Sequence, residues 1–217
     1  DRVFKNCKKL KEIRIPRSVK EIGTEAFAKC TALESVEIPK DVLVISHNMF
    51  EACSSLRHVE LKENNREIVI QSEAFKRCTN LASIKYSRRI SIIGKSAFEK
   101  CENLKKISLG DKLTDILDSA FKGCISLEEI DLSTTSLRRI NRSVFEGCKN
   151  IERVILPSTL SFIAARGFGG CCKLNHIYLP DSINRIGEFA FYGCQVLDMD
   201  SFGQNVGKIR DFCAFSV

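Results

Sequence analysis

Among the residue types able to do chemistry, cysteine is the first to test, with 11 in a chain of 217 residues. Such a count fits a disulfide framework, a metal site or a set of buried thiols. Nine recur in one arrangement, Phe followed three residues later by Cys, at Phe4/Cys7, Phe27/Cys30, Phe50/Cys53, Phe75/Cys78, Phe98/Cys101, Phe121/Cys124, Phe145/Cys148, Phe168/Cys171 and Phe191/Cys194. One thiol per interval, with no second Cys or His beside it, lacks the close ligand pairs of a zinc site. Thiols repeated from coil to coil point the same way, which makes disulfide torsions difficult. The pattern predicts free, buried thiols that serve as small hydrophobes at a tight corner. Cys172 and Cys213 stand outside it, and Cys172, directly after Cys171, faces another way and is the candidate for a reactive thiol or a disulfide.

Other chemistry is weakly represented. His47, His58 and His176 fall in different intervals without the spacing of a zinc-protease helix or a nucleophile elbow. No catalytic residue, metal ligand or cofactor-binding residue is nominated. Gly167-Phe168-Gly169-Gly170 has the glycine content of a phosphate loop but lacks its full glycine pattern and its Lys. Asn141-Arg142-Ser143 is the single N-glycosylation sequon.

The elements that must carry these residues are set by the repeat. Successive phenylalanines lie 23, 23, 25, 23, 23, 24, 23 and 23 residues apart, and Ala214-Phe215 begins another copy. Six residues after Phe comes Leu or Ile (Leu10, Leu33, Leu56, Leu81, Leu104, Leu127, Ile151, Leu174, Leu197). Three further on stands a β-branched residue, from Ile13 and Val36 to Val154 and Ile177. Two beyond that is an apolar one (Ile15, Ile38, Leu61, Tyr86, Leu109, Leu132, Leu156, Leu179). The period of two predicts a strand with one face buried. Pro16, Pro39, Pro157 and Pro180 end it, because a missing N–H stops the ladder. A second short strand follows at pairs such as Val42/Ile45, Ile90/Ile93 and Ile183/Ile186, often closed by Gly23, Gly94 or Gly187. Ala-Phe-x-x-Cys then reads as a helical or 3-10 turn, since Phe and Cys at i and i+3 share a face. Each copy is one coil whose apolar side only a neighbouring coil can cover. No linker or low-complexity tract interrupts the array, so residues 1–217 read as a single domain of about nine repeats. The start at Asp1 and the stop at Val217 inside a repeat read as incomplete ends.

The pattern A-F-x-x-C-x-x-L-x-x-I-x-I-P-x-S-V-x-x-I-G, nearly intact from Ala26 through Val42 and from Phe168 through Gly187, resembles the BspA-like leucine-rich repeat family over almost the whole chain. The resemblance implies an α/β repeat solenoid: a right-handed leucine-rich repeat superhelix with a concave parallel β-sheet, short second strands and helical or 3-10 turns. It also implies surface or secreted bacterial and protozoan proteins that adhere to host matrix and cells. Lys62, Ser87, Gly110 and Ser133 depart from the pattern in place of Pro, as do the longer third and sixth intervals.

Residues between the buried positions project from the first sheet. Glu129 and Asp131 there adjoin Arg153, Ile155, His176 and Tyr178, mixing charge, aromatic and aliphatic character as interface cores do. This group is the candidate protein-binding site. The solvated-sheet alternative treats Ile155 and Tyr178 as an ordinary cross-strand pair. The formal charge of +7 arises from 34 Lys and Arg against 27 Asp and Glu. Lys76, Arg77 and Lys100 near the Phe-Cys turns, with Arg88, Arg89, Arg138 and Arg139 before or within the second strand, are candidates for a polyanion such as a glycosaminoglycan. Nucleic acid is not expected, because no aromatics interleave with the charges. The segments around Lys62 to Glu67 and Ser133 to Ser136 should bulge as loops on one edge. No apolar run approaches the ~20 residues of a membrane helix. The sequence thus predicts a non-enzymatic protein-binding module of a surface or secreted protein, with a matrix or cell-surface protein as ligand. A structural spacer or intracellular scaffold is the alternative.

Overall fold

The computed structural model describes residues 1–198, so Cys213 and Ala214-Phe215 lie outside the described residues. The chain winds as a parallel β-solenoid with two strand columns, to which most coils contribute one strand each. The first column holds β1 (Ser35–Ile38), β3 (His58–Leu61), β5 (Ser83–Lys85), β8 (Glu129–Asp131), β10 (Arg153–Ile155) and β12 (His176–Ile177). The second holds β2 (Val44–Ile45), β4 (Ile68–Ile70), β6 (Ile90–Ile93), β7 (Asp115–Ile116), β9 (Arg139–Ile140), β11 (Phe162–Ile163) and β13 (Arg185–Ile186). Pairing is parallel throughout, in sheets ordered β1-β3-β5, β8-β10-β12, β2-β4-β6-β7 and β9-β11-β13. Strands form because β-branched residues alternate with polar ones: in β1, Val36 and Ile38 are buried while Ser35 and Glu37 face solvent.

The Phe-Cys segment, expected as a helical or 3-10 turn, is instead a run of β-turns that pairs between coils like a sheet. Within a coil, Ala28 N–H donates to Glu25 O and Cys30 N–H to Phe27 O; the intervening N–H groups of Glu25, Phe27 and Lys29 donate to His47, Met49 and Glu51 of the next coil. This alternation needs a left-handed residue on each side of Phe. One ladder of positive φ runs through Glu25, Asn48, Glu73, Ser96, Ser119, Ser143, Arg166 and Phe189, and the other through Lys29, Ala52, Arg77, Lys100, Gly123, Gly147, Gly170 and Gly193. A helix would have satisfied the N–H groups inside the coil and left neighbouring coils unbonded. The only helical segment among the described residues is the 3-10 turn Ser87–Arg89.

The core is a set of ladders along the axis. Phe rings from Phe4 to Phe191 stack with centroids 5.1–5.6 Å apart and planes within 10°, close to offset stacking. The glycine that closes the second strand lets coils approach: a Cβ at Gly94 would stand 2.5 Å from the main-chain carbon of Gln71.

Strands expected from the pattern at 13–15 and 19–22 in the first coil and at 106–109 are not formed, and the second column is broken once. Lys106–Leu109 is not assigned as a strand although Ile107 and Leu109 are buried, which divides the first column between β5 and β8. The second column divides between β7 and β9, where the Asn141 amide donates to Ile116 O at 2.7 Å. The longer third interval is a loop over 62–67 that ends in a register shift between Ile68 and Val69.

Tyr86 corrects the sequence reading. It occupies the column of buried residues that includes Leu61 and Leu109, 2% and 5% exposed, yet its own ring is 52% exposed. A backbone at φ 61, ψ 33 turns the ring outward and brings Ser87 into the interior, where its hydroxyl donates to Ser108 O at 2.6 Å.

Candidate interaction surface

The ladder thiols are committed to the fold. Cys30, Cys53, Cys78, Cys101, Cys124, Cys148, Cys171 and Cys194 each donate from Sγ to the carbonyl of the Phe in the preceding coil, at 3.0–3.2 Å. Burial pushes Cys53, Cys148 and Cys194 up to about 12, and raises Cys78, Cys101, Cys124 and Cys171 well above the ordinary thiol value. A protonated donor is not a nucleophile. All the described cysteines are free; Cys7 is exposed and Cys172 half-buried, with its Sγ 3.4 Å from Gly170 O. No three His, Cys, Asp or Glu side chains among the described residues converge as a metal site would require.

The glycine-rich segment 167–170 uses all its N–H groups internally. Those of Gly167 and Gly169 go to Ala164 O and Arg166 O, and those of Phe168 and Gly170 to Ala190 O and Tyr192 O. None is left to cradle a phosphate. The sequon asparagine is engaged likewise through Ile116 O.

The first-column sheet brings the protein-binding candidates together. Register places Glu129, Arg153 and His176 side by side on β8, β10 and β12, with Ile155 opposite Asp131 in the next outward row. Tyr178 stands just past the end of β12 and is 74% exposed, the most exposed large hydrophobic residue described. Arg153 and Glu129 approach at 4.0 Å with both side chains largely in solvent, an ion pair of little worth in itself. The carboxyl of Asp131 is held below its usual range, first by the Ser133 side chain and then by the Ser133 N–H at 2.9 Å. The sixth-interval segment therefore fixes the acid at the rim of this row. Towards the N-terminus the same face is self-neutralised, because Lys62 bridges Glu37 at 3.2 Å and Glu60 at 2.5 Å.

The basic candidates do not form one surface. Lys76 is bound to Glu73 and Glu99 at 3.3 and 3.5 Å, while Arg77 and Lys100 occupy left-handed turn positions on the Phe-Cys edge. Arg88 and Arg89 sit in the 3-10 turn, and Arg138 and Arg139 lie two coils further on at β9. Sequence reasoning missed two features of this surface. Acids interleave with the turn lysines, as in Lys122–Glu146 at 2.8 Å, and Arg185 lies over Phe162 at 5.1 Å; both follow from placing the residues one coil apart.

Stacked coils joined by parallel strands, with Phe, Leu and Cys ladders inside and variable residues outside, define a leucine-rich repeat solenoid, a class that presents extended surfaces for interaction. The chain belongs to the family of the BspA type leucine rich repeat region, whose model matches six copies over residues 1–69 and 68–198. Among solved structures it is similar to a leucine rich repeat protein of T. pallidum (28% identity, 83% of this chain and 72% of that one, TM-score 0.61). It is similar also to a leucine rich cell surface protein of Faecalibacterium prausnitzii (28%, 83% and 42%, TM-score 0.58) and to a leucine-rich repeat protein of Bacteroides ovatus (25%, 90% and 67%, TM-score 0.55). The chain thus spans less than half the length of the Faecalibacterium protein. No curated protein sequence matches significantly. No helix among the described residues is long and apolar enough to cross a membrane.

Proposed function

We propose that the chain is a non-enzymatic protein-binding module of a cell-surface or secreted protein, and that its contact site is the outward face of β8, β10 and β12. The observation that carries the reading is Tyr178, 74% exposed just past the end of β12 and two residues beyond His176, next to a sheet held rigid by the ladders beneath. A folded chain gains nothing from leaving so much apolar area in water, whereas a partner that covers it does. The charge pattern of the site, with Glu129 and Asp131 on one side and Arg153 on the other, gives a partner an orientation. The surface location is supported by the likeness to the Faecalibacterium protein, described as a leucine rich cell surface protein, and the protein-binding reading by the repeat family itself.

The test is direct binding of the purified chain to immobilised extracellular-matrix proteins at two salt concentrations. Binding that survives raised salt supports an apolar-centred contact. Absence of binding to every matrix protein favours a spacer that holds other parts of a longer protein apart.

A further inference from the structure

Lys85, Tyr86, Arg88 and Arg89 form a corner without a counterpart on the described chain. Every other non-glycine residue with positive φ belongs to one of the two ladders flanking Phe; Tyr86 does not. A left-handed residue that carries a Cβ costs free energy; the turn buries Ser87 against Ser108 O but leaves the Tyr86 ring without a packing partner in the core. Tyr86 precedes the 3-10 turn as its N-cap yet makes no side-chain capping bond. Gly110 of the next coil packs beneath the turn so tightly that a Cβ would lie 2.4 Å from Arg88 O. The corner is thus pinned with its ring outward.

The cations around the ring lack the carboxylate bridges formed at several other positions. Lys62, Lys76, Lys122, Arg153 and Arg166 all have carboxylate partners. Lys85 and Arg88 are exposed and Arg89 is half-buried; Lys85 stands in register with Glu60 and interacts with its charge, whereas neither arginine is in an ion pair among the described residues. Two unpaired guanidinium groups and a third cation beside one exposed aromatic ring suit a ligand with both an apolar ring face and anionic groups.

We propose that this corner binds an acidic saccharide, with Tyr86 stacking on a sugar face and Lys85, Arg88 and Arg89 taking its sulfate or carboxylate groups. Guanidinium forks match such oxyanions in a bidentate manner. The chemistry favours a saccharide over single-stranded nucleic acid, which is held by several aromatic platforms for successive bases; here there is one. The site is independent of the protein-binding face around Tyr178.

The test is calorimetric titration of the purified chain with a heparin-derived hexasaccharide. Tyr86→Gly, which also relieves the left-handed backbone, and the surface pair Arg88→Gln/Arg89→Gln are each expected to weaken binding about tenfold. Arg138→Gln/Arg139→Gln and Tyr178→Ala/Ile155→Ala should bind as the parent does. A single-stranded DNA of equal charge should bind at least about tenfold more weakly. The proposal is overturned by absence of hexasaccharide binding, by an equal loss in the Arg138/Arg139 variant, or by DNA binding of the same strength. Because failure at Tyr178/Ile155 is read on a protein ligand and failure here on the hexasaccharide, the two readings fall separately.

Discussion

The thiol of Cys101 donates to the main-chain carbonyl of Phe75 at 3.1 Å, and that carbonyl also accepts the N–H of Cys78 at 3.0 Å. Cysteine therefore does in the ladder what alanine or valine cannot: it fills the corner and gives the carbonyl a second bond from the next coil. Alkylation at neutral pH, mapped by mass spectrometry, should modify Cys7 and Cys172 well before any ladder thiol from Cys53 to Cys171. Early modification of Cys101 would contradict the hydrogen-bonded, buried placement.

The same ladder makes stability depend on alkaline pH. Burial raises the folded-state value of Cys53, Cys148 and Cys194 from the ordinary thiol value near 9 to about 12. Their contribution is complete below the unfolded value and is lost as pH rises from about 9 towards 12, since the unfolded chain releases the protons first. A fully buried thiol such as Cys148 loses on the order of 1 kcal/mol per pH unit across that window. Urea unfolding at pH 7.5 and 9.5 should show lower stability at the higher pH, and a variant with Cys148→Ala should show a smaller drop between the two.

Phe98 lies fully buried between Phe75 and Phe121, with centroids at 5.2 and 5.1 Å. Phe98→Ala should cost about 3–5 kcal/mol in urea unfolding. Phe4, stacked on one side only and partly exposed, should cost clearly less; equal losses would mean that the stack does not carry the core.

The left-handed turn ladder passes from Lys29, Ala52, Arg77 and Lys100 to Gly123, Gly147, Gly170 and Gly193. At Gly123 a Cβ would meet nothing nearer than 3.6 Å, so Gly123→Ala isolates the backbone strain and should destabilise by about 1 kcal/mol. Lys100→Gly should stabilise by a comparable amount. Thermal melting of the two variants checks the signs, which must be opposite.

Asn141 should carry no glycan when the chain is secreted from a eukaryotic cell, because its Nδ2 is bound to Ile116 O at 2.7 Å where β7 and β9 fail to pair. Intact mass measurement decides this. Asn141→Ala should cost about 1–3 kcal/mol by leaving that carbonyl unsatisfied.

Much of the architecture could be read from spacing alone. The Val36/Ile38 and Val154 alternation locates the first strands, and the repeat, with intervals of 24 and 23 residues here, places Glu129, Arg153 and His176 in one row. The Phe-Cys turn was misread because an i, i+3 pair on one face fits a helical turn and a β-turn equally; only hydrogen bonding to the next coil distinguishes them. Tyr86 occupied an inward column by count, and its outward turn depends on backbone strain that no side-chain pattern records. The Lys106–Leu109 interruption likewise has the periodicity of its neighbours. The basic candidates are grouped by their place near the Phe-Cys turns and second strands, whereas Lys76 is held by Glu73 of its own coil and Glu99 of the next, which removes part of that charge.

The most direct test of the protein-binding claim is surface plasmon resonance of the parent chain and of Tyr178→Ala/Ile155→Ala on a matrix protein that the parent binds. Both positions lie on the outer side of the sheet, so the variant should melt like the parent. Its affinity should fall about tenfold or more, the loss residing mainly in a faster off-rate. Unchanged affinity of the folded variant would contradict the assignment of this face as the contact site.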